Sequence, residues 1–420
     1  AVRPRLTSFG PTRHFSVVQA PALFGMAMNA TALDTPVVDY SLNVRHRGFG
    51  AADAVVAVNS VNFDAAGLSD HDAATGAWLN RRLASDDTDA DMVTLANAEN
   101  LADYENLLDS YASEHATQQV AGLRASASGF QSGMLSCGQI GAGSTAIDEG
   151  ECAWGKVSSR WLEYGGGYSG DGRDDHSVLM SLGSQYIVDD HWRVGFAAGY
   201  ETLTSQARLA QSQTETAHVG AIAKYVEGHA LFAVGLSYGH GWTDSSRSIP
   251  LSPGLTARAS HDTDWVQARF RAAYLLPAGS LYLKPSVDLD VNYIRSGGYR
   301  ENGAPGYNLD VDSYDDVMVS IAPGLEIGTD LTLSESLQMR AFAFAGAQHS
   351  TDTQVSNDVK FSPSSDRYTR RFETDKWLAN FGAGVSLFSD ERVSLDLRYD
   401  GTYGENVLSH AITAKLRVDF

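Results

Sequence analysis

Acidic residues and histidines form two groups whose types could hold a metal ion. Asp310, Asp312 and Asp315 have the look of the start of a calcium-binding loop, but the glycine required at its sixth position and the glutamate at its twelfth are both missing. Asp70-His71-Asp72 lies in a polar run with no second ligand group in view. We therefore interpret both groups as solvated segments. The sequence predicts no bound metal and no cofactor.

Two glycine-containing patterns could carry catalysis or phosphate binding. Gly167-Tyr-Ser-Gly places a serine before a glycine, without the spacing of a nucleophile elbow. Gly138-Gln-Ile-Gly-Ala-Gly follows no βαβ pattern and contains no lysine, so it is not a phosphate-binding loop. No catalytic residue is predicted from either pattern.

Composition excludes several classes of protein. The 420 residues include 31 Lys+Arg and 51 Asp+Glu, which gives a formal charge of -20. Such a charge repels a phosphate backbone, so no nucleic-acid partner is expected. Two cysteines cannot form a disulfide-rich scaffold, and no segment approaches the roughly 20 uncharged apolar residues of a membrane-spanning helix. A hydrophobic fraction of 43% nevertheless permits a large folded core.

Most of the chain after residue 153 alternates between apolar and polar residues. In the segment 281–293, leucines, valines and a tyrosine share one face, and lysine, serine and aspartates share the other. The segments 266–276 and 392–400 alternate in the same way. A period of two is that of a β-strand, so each segment is predicted to be a strand with one apolar and one charged face.

About twelve such segments can be counted, and several exceed the usual strand length of about five or six residues. They are 153–164, 176–188, 192–203, 213–226, 230–244, 259–276, 281–296, 311–330, 337–350, 370–388, 392–402 and 407–420. Tight turns alternate with long polar links at 165–175, 245–258, 297–310 and 351–369.

These strands could form a sandwich with the apolar face inside, or a membrane barrel with the apolar face in lipid. Strand length, an even strand number, the alternation of short and long connections and aromatic residues near strand ends favour the barrel. We predict an all-β fold, a transmembrane antiparallel β-barrel of about twelve strands over residues 153–420. The aromatic residues expected in its girdles are Trp154, Trp161, Tyr164, Tyr186, Trp192, Tyr200, Tyr225, Trp242, Trp265, Tyr274, Tyr293, Trp377 and Tyr399.

The chain before residue 153 divides into four stretches. Residues 1–64 contain short β-rich pieces, 65–91 are polar and interpreted as a linker, 92–136 are helical in pattern, and 137–152 form a connector. The second half of the helical stretch is rich in Ala, Gly and Ser. Since each glycine costs a helix up to about 1 kcal/mol, this slender helix is expected to need closely fitting surroundings. The start at Ala1, with no charged and apolar leader, suggests a mature fragment.

The C-terminus continues the alternation to the last residue. Ile412, Ala414, Leu416, Val418 and Phe420 occupy one face of the final predicted strand. A last strand that ends in an exposed aromatic residue resembles the signal by which bacterial outer-membrane barrels are recognised for assembly.

Taken in order along the chain, these features resemble the autotransporters of type V secretion. They are a β-rich N-terminal stretch, a helix of small residues, a cysteine pair around the junction of helix and barrel, a first strand of the form Cys152-Ala-Trp-Gly-Lys-Val, about twelve strands and the terminal Phe420. The resemblance covers nearly the whole chain. It implies that residues 1–64 are the end of a β-solenoid passenger that assists passenger folding, and that residues 153–420 insert in the bacterial outer membrane.

The resemblance also implies that the helix fills the pore and that the passenger is displayed or released outside the cell, where such proteins serve adhesion and virulence. Near 20 helical residues span about 30 Å, the thickness of a bilayer core, so residues 109–135 can thread the lumen. Basic residues predicted to face the lumen could bind Asp109, Glu114 and backbone carbonyls of this helix. They are Lys156, Arg160, Arg269, Arg271 and Arg398.

Two covalent features are considered in the light of this family. Cys137 and Cys152 would lie near the oxidising periplasm, which favours a disulfide stabilising by about 3 kcal/mol over two buried free thiols. Some family members cut their passenger at an asparagine of the pore helix. Asn97, Asn100 and Asn106 are available, but they precede the stretch placed deepest in the pore, so self-cleavage is not expected.

The sequence therefore predicts a translocator without catalytic activity. Expected partners are outer-membrane lipid, the barrel-assembly machinery with periplasmic chaperones, and the chain's own passenger; a monomer is expected. Two alternatives stay open. One is a simple porin, and the other is an outer-membrane barrel enzyme of protease or lipase type, which His240, His261, Asp262 and Asp264 near one long loop could serve.

Overall fold

The structure is a computed structural model of the chain. It describes residues 4–9, 14–20, 34–48, 51–111, 115–135, 137, 146–165, 172–361, 367–389 and 392–420. Within these residues, no helix is both long enough and apolar enough to cross a bilayer.

Strands and helices follow one another along the chain in this order. The N-terminal part contains β1 (His14–Ala20), β2 (Val38–Gly48), β3 (Ala51–Val61), α1 (Asp70–Ala84), α2 (Ala90–Ala96), α3 (Leu101–Leu108) and α4 (His115–Met134). The next strands are β4 (Cys152–Tyr164), β5 (Arg173–Ile187), β6 (Trp192–Ala207), β7 (Ala210–Glu227), β8 (Ala230–Ser248), β9 (Thr256–Tyr274), β10 (Leu276–Ala278) and β11 (Leu281–Ser296). The last are β12 (Tyr299–Arg300), β13 (Leu309–Val311), β14 (Tyr314–Ser334), β15 (Leu337–Ser350), β16 (Gln354–Phe361), β17 (Arg367–Glu373), β18 (Trp377–Ser389), β19 (Val393–Tyr403) and β20 (Val407–Asp419).

Twelve of the described strands close into an antiparallel barrel. Going round it, β4 to β9 are followed by β11, β14, β15, β18, β19 and β20, and β20 pairs with β4 to complete the circle. The short β10 extends the turn before β11. Closure removes the unpaired edges that a sheet could not expose to lipid, and the predicted twelve-stranded antiparallel barrel is confirmed.

Alternation sorts the side chains of each strand between lipid and lumen. Leu182 is 66% exposed and Met180 59% exposed on the outer surface, whereas Ser181 between them is buried. Trp192 begins β6 at the tight-turn end, and Trp377 begins β18 at the long-loop end, so outward aromatic residues mark both edges of the apolar band. By the usual orientation of such barrels, the tight turns are periplasmic and the long connections are extracellular.

For three residues the predicted position in an aromatic girdle is wrong. Trp154 and Trp265 are buried inside the barrel, where Trp154 lies under the Lys415 ammonium and Trp265 lies beside His218. Tyr164 also points inward and contacts Phe372 of β17. Their positions follow the alternation of the strands, so the aromatic type alone was a poor guide to the face.

The β-rich N-terminal stretch is a small antiparallel sheet in the order β1, β3, β2. β3 pairs in the antiparallel direction with both β1 and β2. A solenoid would pair the strands of successive coils in parallel. The described strands of residues 1–64 are therefore not coils of a solenoid, and that expectation is corrected.

Residues 65–91 are not a linker, because α1 and the start of α2 lie within them. The polar residues that suggested a linker are helix N-caps: the Ser69 side chain accepts a hydrogen bond from the Asp72 amide, and Asp89 accepts one from the Met92 amide. Trp78 and Leu79 of α1 are almost completely buried. Likewise, the helical stretch 92–136 contains three separate elements, α2, α3 and α4, instead of one helix.

Two of the long links also contain structure. β12, β13, β16 and β17, from the connections at 297–313 and 351–376, form a four-stranded sheet beyond the extracellular end of the barrel. Val359 and Phe361 of this sheet are buried in one hydrophobic cluster with Trp78 and Tyr111. We call residues 70–111, which contain α1 to α3, the helical cap, and the four-stranded sheet the loop sheet.

Candidate functional site: the barrel lumen

The helix α4 runs inside the barrel and packs against β5 to β9 on one wall. Its glycines face charged wall residues at close range. A Cβ atom on Gly122 would lie 2.9 Å from Arg173 Nη2 and 2.9 Å from Asp175 Oδ2, and one on Gly133 would lie 3.2 Å from Lys156 Nζ. At these positions the wall leaves no room for a larger side chain on α4, which explains the small residues there.

Two of the five basic residues predicted to contact the helix bond to it. Lys156 Nζ donates to the Gly129 carbonyl at 3.1 Å. Arg269 donates from Nη1 to Ser132 Oγ at 2.9 Å and from Nη2 to Ser128 Oγ at 3.1 Å. A third, Arg160, lies against Gly129, since a Cβ there would collide with its guanidinium. These contacts hold the middle of α4 and the half of it that leads to the periplasmic end.

The other two basic residues point into the lumen and pair with the wall. Arg271 donates to Asp288 on β11 at 2.6 Å and Arg398 pairs with Asp400 on its own strand at 2.6 Å. Their prediction as helix contacts is wrong, because carboxylates directly across the sheet or two residues along the strand already satisfy them. The expected helix partner Asp109 pairs with Arg208 instead, and Glu114 lies outside the described residues.

Several lumen contacts were not predicted. Arg124, a basic residue of α4 itself, forms an ion pair with Asp316 of β14. Phe130 of α4 stacks on His218 with ring centroids 5.0 Å apart, and His218 Nε2 lies 3.3 Å from Glu201 Oε2. The alternation places His218 and Glu201 on the inward face of their strands, so the signal was present, but alternation alone does not identify which inward residues form pairs.

The periplasmic end of α4 is held by a buried ammonium. Lys224 Nζ donates to the Leu135 carbonyl at 3.1 Å and to Glu149 Oε2 at 2.7 Å. Gln185 also donates to Glu149, at 3.0 Å. One lysine therefore joins the end of the helix to the connector that leads into β4.

Cys137 and Cys152 are joined by a disulfide with a Cα–Cα distance of 6.2 Å. Both residues are buried, and the Gly150 amide donates to the Cys137 carbonyl at 3.2 Å. The bond ties the segment after α4 to the first residue of the barrel. The cysteines thus lie at the periplasmic mouth, as the sequence suggested.

The helical cap is fastened to the extracellular loops by buried contacts. Trp78 packs on Phe361 with ring centroids 4.8 Å apart, and the Tyr368 hydroxyl donates to the Tyr111 carbonyl at 2.6 Å. Arg247, at the end of β8, donates to the Ser110 carbonyl at 2.8 Å and pairs with Glu301 at 2.7 Å. The cap therefore covers the outer mouth of the barrel.

Residues considered as metal or catalytic groups have other partners. Asp310 pairs with Arg300 at 2.7 Å and with Lys360 at 3.2 Å, and these bonds lower its pKa although its partial burial would raise it. His240 contacts Asp264 at 2.8 Å on the outer surface, whereas His261 points inward and stacks on Tyr299. The two histidines thus occupy opposite faces of the sheet and cannot share one site.

The C-terminal residues proposed as an assembly signal form an exposed apolar row on β20. Phe420 is 64% exposed and its ring lies 6.1 Å from that of Tyr186. Ile412, Leu416 and Val418 lie on the same outward face. Their role in assembly stays a prediction.

A closed β-barrel with an apolar outer band, a charged lumen and a helix threaded through it defines an outer-membrane translocator. Residues 153–400 match the family described as the autotransporter beta-domain, and the chain belongs to this family. It is thus an outer-membrane autotransporter β-barrel, and the predicted family, function and location are confirmed.

Known proteins agree with this assignment. The translocator domain of autotransporter NalP from Neisseria meningitidis has a TM-score of 0.58 at 15% identity, covering 74% of this chain and 99% of that one, which shows the shared fold. Esterase EstA from Pseudomonas aeruginosa and from Pseudomonas putida are each 25% identical over 264 residues, 60% of this chain. The chain spans about 40% of the length of these curated relatives.

Proposed function

We propose that the barrel holds its own passenger at the cell surface, with α4 retained in the lumen as a tether. The observation that carries this proposal is the path of the chain. The helical cap lies at the extracellular end, α4 runs through the barrel, and Cys137 lies beside Cys152 at the periplasmic end. Any segment before the cap is then on the outside, and we further propose that the barrel acts as a monomer.

Epitope tags in intact cells test this arrangement. A tag inserted at Asp86, in the exposed turn between α1 and α2, should be accessible to antibody and to added protease. A matched tag at Glu335, in the tight turn between β14 and β15, should become accessible only after the outer membrane is permeabilised. A protected tag at Asp86 in cells that contain folded barrel would contradict the proposal.

Insertion is proposed to depend on the barrel-assembly machinery and on periplasmic chaperones, with outer-membrane lipid as the final environment. The exposed aromatic end of β20 supports recognition by that machinery. Deletion of Phe420 should lower the amount of folded barrel in outer membranes. The control is Tyr403→Ala, which removes an equally exposed aromatic side chain at the extracellular end of β19 and should leave this amount unchanged. Normal assembly without Phe420 would refute its role.

We also propose that this chain catalyses no reaction. The placement of His240 and His261 on opposite faces supports this against a rim enzyme. The relatives named as esterases suggest that an enzymatic passenger could belong to the whole protein. Hydrolysis of short acyl esters by the folded chain, lost on His240→Ala, would overturn the proposal, and no hydrolysis above the level of that variant would support it.

A further inference from the structure

Three buried side chains at the periplasmic end of the lumen meet at one carboxylate oxygen. Lys224 Nζ and Gln185 Nε2 both donate to Glu149 Oε2, at 2.7 Å and 3.0 Å. Lys224 is completely buried, Gln185 is 2% exposed and Glu149 is 6% exposed. A lysine amine, a carboxamide and a carboxyl group are therefore held together away from bulk water.

The barrel wall brings the amine and the carboxamide together across an intervening strand. Gln185 is on β5 and Lys224 is on β7, and both side chains point inward on either side of β6. The β6 residue opposite Gln185 is Gly195, where a Cβ atom would lie 3.6 Å from Gln185 Cβ and 3.1 Å from Ile222 Cγ2. Because Gly195 has no side chain, the two long side chains can meet over it inside the lumen.

The surroundings of Lys224 suit an uncharged amine. Ile222 and Val226, which lie two residues away on the same face of β7, are 3% and 9% exposed. Burial among apolar groups penalises separated charges, and Glu149 is in direct contact to accept the proton. A neutral lysine amine, the form that acts as a nucleophile, is thus available at this position.

The carboxamide of Gln185 is held by its nitrogen alone. Nε2 donates to the Gly150 carbonyl at 2.8 Å as well as to Glu149, whereas Oε1 has no hydrogen-bond partner among the described residues. A buried amide oxygen without a partner is destabilised, so hydrogen bonding alone does not account for this arrangement. One carboxylate oxygen contacts both the nitrogen that could attack and the nitrogen that could leave.

We propose that Lys224 and Gln185 form an isopeptide bond between their side chains, with Glu149 as the proton carrier. The reaction occurs once in each chain and uses no external substrate, so it is separate from hydrolysis of added esters. It also does not depend on display of a passenger. The bond joins β5 to β7 across β6, beside the Leu135 carbonyl at the end of α4.

The reaction balances with ammonia as its second product. Glu149 Oε2 accepts a proton from the Lys224 ammonium, and the neutral Nζ attacks Gln185 Cδ while the carbonyl electrons move to Oε1. Glu149 then donates its proton to Nε2, the Cδ–Nε2 bond breaks as the carbonyl forms again, and ammonia leaves. The second proton that Nζ loses departs with the ammonia as ammonium, and Glu149 is again a carboxylate. No group is oxidised or reduced.

The intact mass of the chain tests the bond. The protein is purified in folded form from outer membranes, then denatured and reduced so that the disulfide is open in every sample. The unchanged chain should be lighter than its sequence by the mass of one ammonia molecule, about 17 Da. Lys224→Arg, which keeps a cation but has no lysine amine, should have the full mass of its sequence. Lys284→Arg is the matched control and should retain the loss, because Lys284 pairs with another lumen carboxylate, that of Glu326, at 2.8 Å.

A tryptic digest locates the bond. Trypsin does not cut after an acylated lysine, so residues 209–247 should remain one peptide, joined to residues 174–193. Glu149→Gln removes the proton carrier and keeps a side chain of the same shape. In this variant trypsin should cut after Lys224, and residues 174–193 should be released as a free peptide.

Two results would overturn the proposal. The first is an unchanged protein that has the full mass of its sequence and is cut by trypsin after Lys224; this result needs no variant to fold. The second is a mass loss that persists in Lys224→Arg without the joined peptide, which would show that ammonia is lost from another amide, such as an asparagine that forms a succinimide.

Discussion

Removal of the Lys224 ammonium should be among the most destabilising single changes in the barrel. Lys224 is fully buried and Glu149 has 6% of its side chain exposed, and their ammonium and carboxylate lie 2.7 Å apart. Lys224→Met leaves the Glu149 carboxylate and the Leu135 carbonyl without this donor. Breaking a buried ion pair from one side costs about 3–5 kcal/mol, because the remaining charge is uncompensated.

The matched control is Lys376→Met. Lys376 pairs with Glu373 at 3.6 Å, but both side chains are about half exposed or more, at 62% and 49%. Exposed pairs of this kind contribute no more than about 1 kcal/mol. The same chemical change should therefore have a clearly smaller effect at this position.

Urea-induced unfolding of the barrel in lipid vesicles, followed by tryptophan fluorescence, measures the difference. Lys224→Met should lower the free energy of unfolding by about 3 kcal/mol or more relative to Lys376→Met. Adding Glu149→Gln to Lys224→Met should recover part of the loss, since the buried charge is then gone. If the two lysine variants are equally stable, the reasoning about the buried pair is refuted.

Three further perturbations follow from the same contacts. Cys152→Ser should lower the free energy of unfolding by about 3 kcal/mol, the loop-closure entropy expected for a disulfide between residues 15 apart in sequence. Denaturation with and without reductant measures this effect. If reductant does not shift the denaturation midpoint of the unchanged protein, the predicted stabilisation by the disulfide is contradicted. Gly122→Val should cost about 1–3 kcal/mol through overpacking against Arg173 and Leu203, whereas Gly155→Val, where a Cβ meets nothing within 4 Å, should have little effect in the same assay. Alkaline pH should release the helical cap, because burial and the Asp91 contact raise the pKa of Tyr307 to about 12, and burial raises the pKa of Tyr111. Tyr111 of the cap and Tyr307 of the loop that it contacts stay protonated while the cap is docked but titrate near pH 10 once the cap is released. Docking is therefore unaffected below about pH 10 and weakens as the pH rises toward 12. Tyrosinate absorbance and the fluorescence of Trp78 should change together in that window, and Tyr307→Phe should reduce the dependence.

The barrel could be predicted from the sequence because membrane strands carry their information locally. Each strand must show lipid an apolar face, so residues such as Leu395 and Leu397 alternate with Asp396 and Arg398 whatever their neighbours are. The cap could not be predicted in this way. Its core joins Trp78 to Phe361, which lie far apart in sequence. The polar residues at the N-termini of its helices resemble a linker when the residues that the helices pack against are unknown.

The lumen shows the same limit at the level of single residues. Alternation correctly predicted that all five basic residues point into the lumen, but this orientation does not determine which group each of them binds. Arg271 and Asp288 are directly opposite in the pairing of β9 with β11, as are Arg269 and Asp290, so the turn before β11 already fixed both pairs. Counting outward from that turn would have assigned Arg271 to the wall. Arg269 still reaches α4 because a guanidinium has donors on more than one side: it binds Asp290 through Nε and Nη2 and keeps Nη1 for Ser132. Strand register therefore decides which charged lumen side chains pair with each other within the barrel wall. Only hydrogen-bond donors that are not used in those pairs can bind the helix.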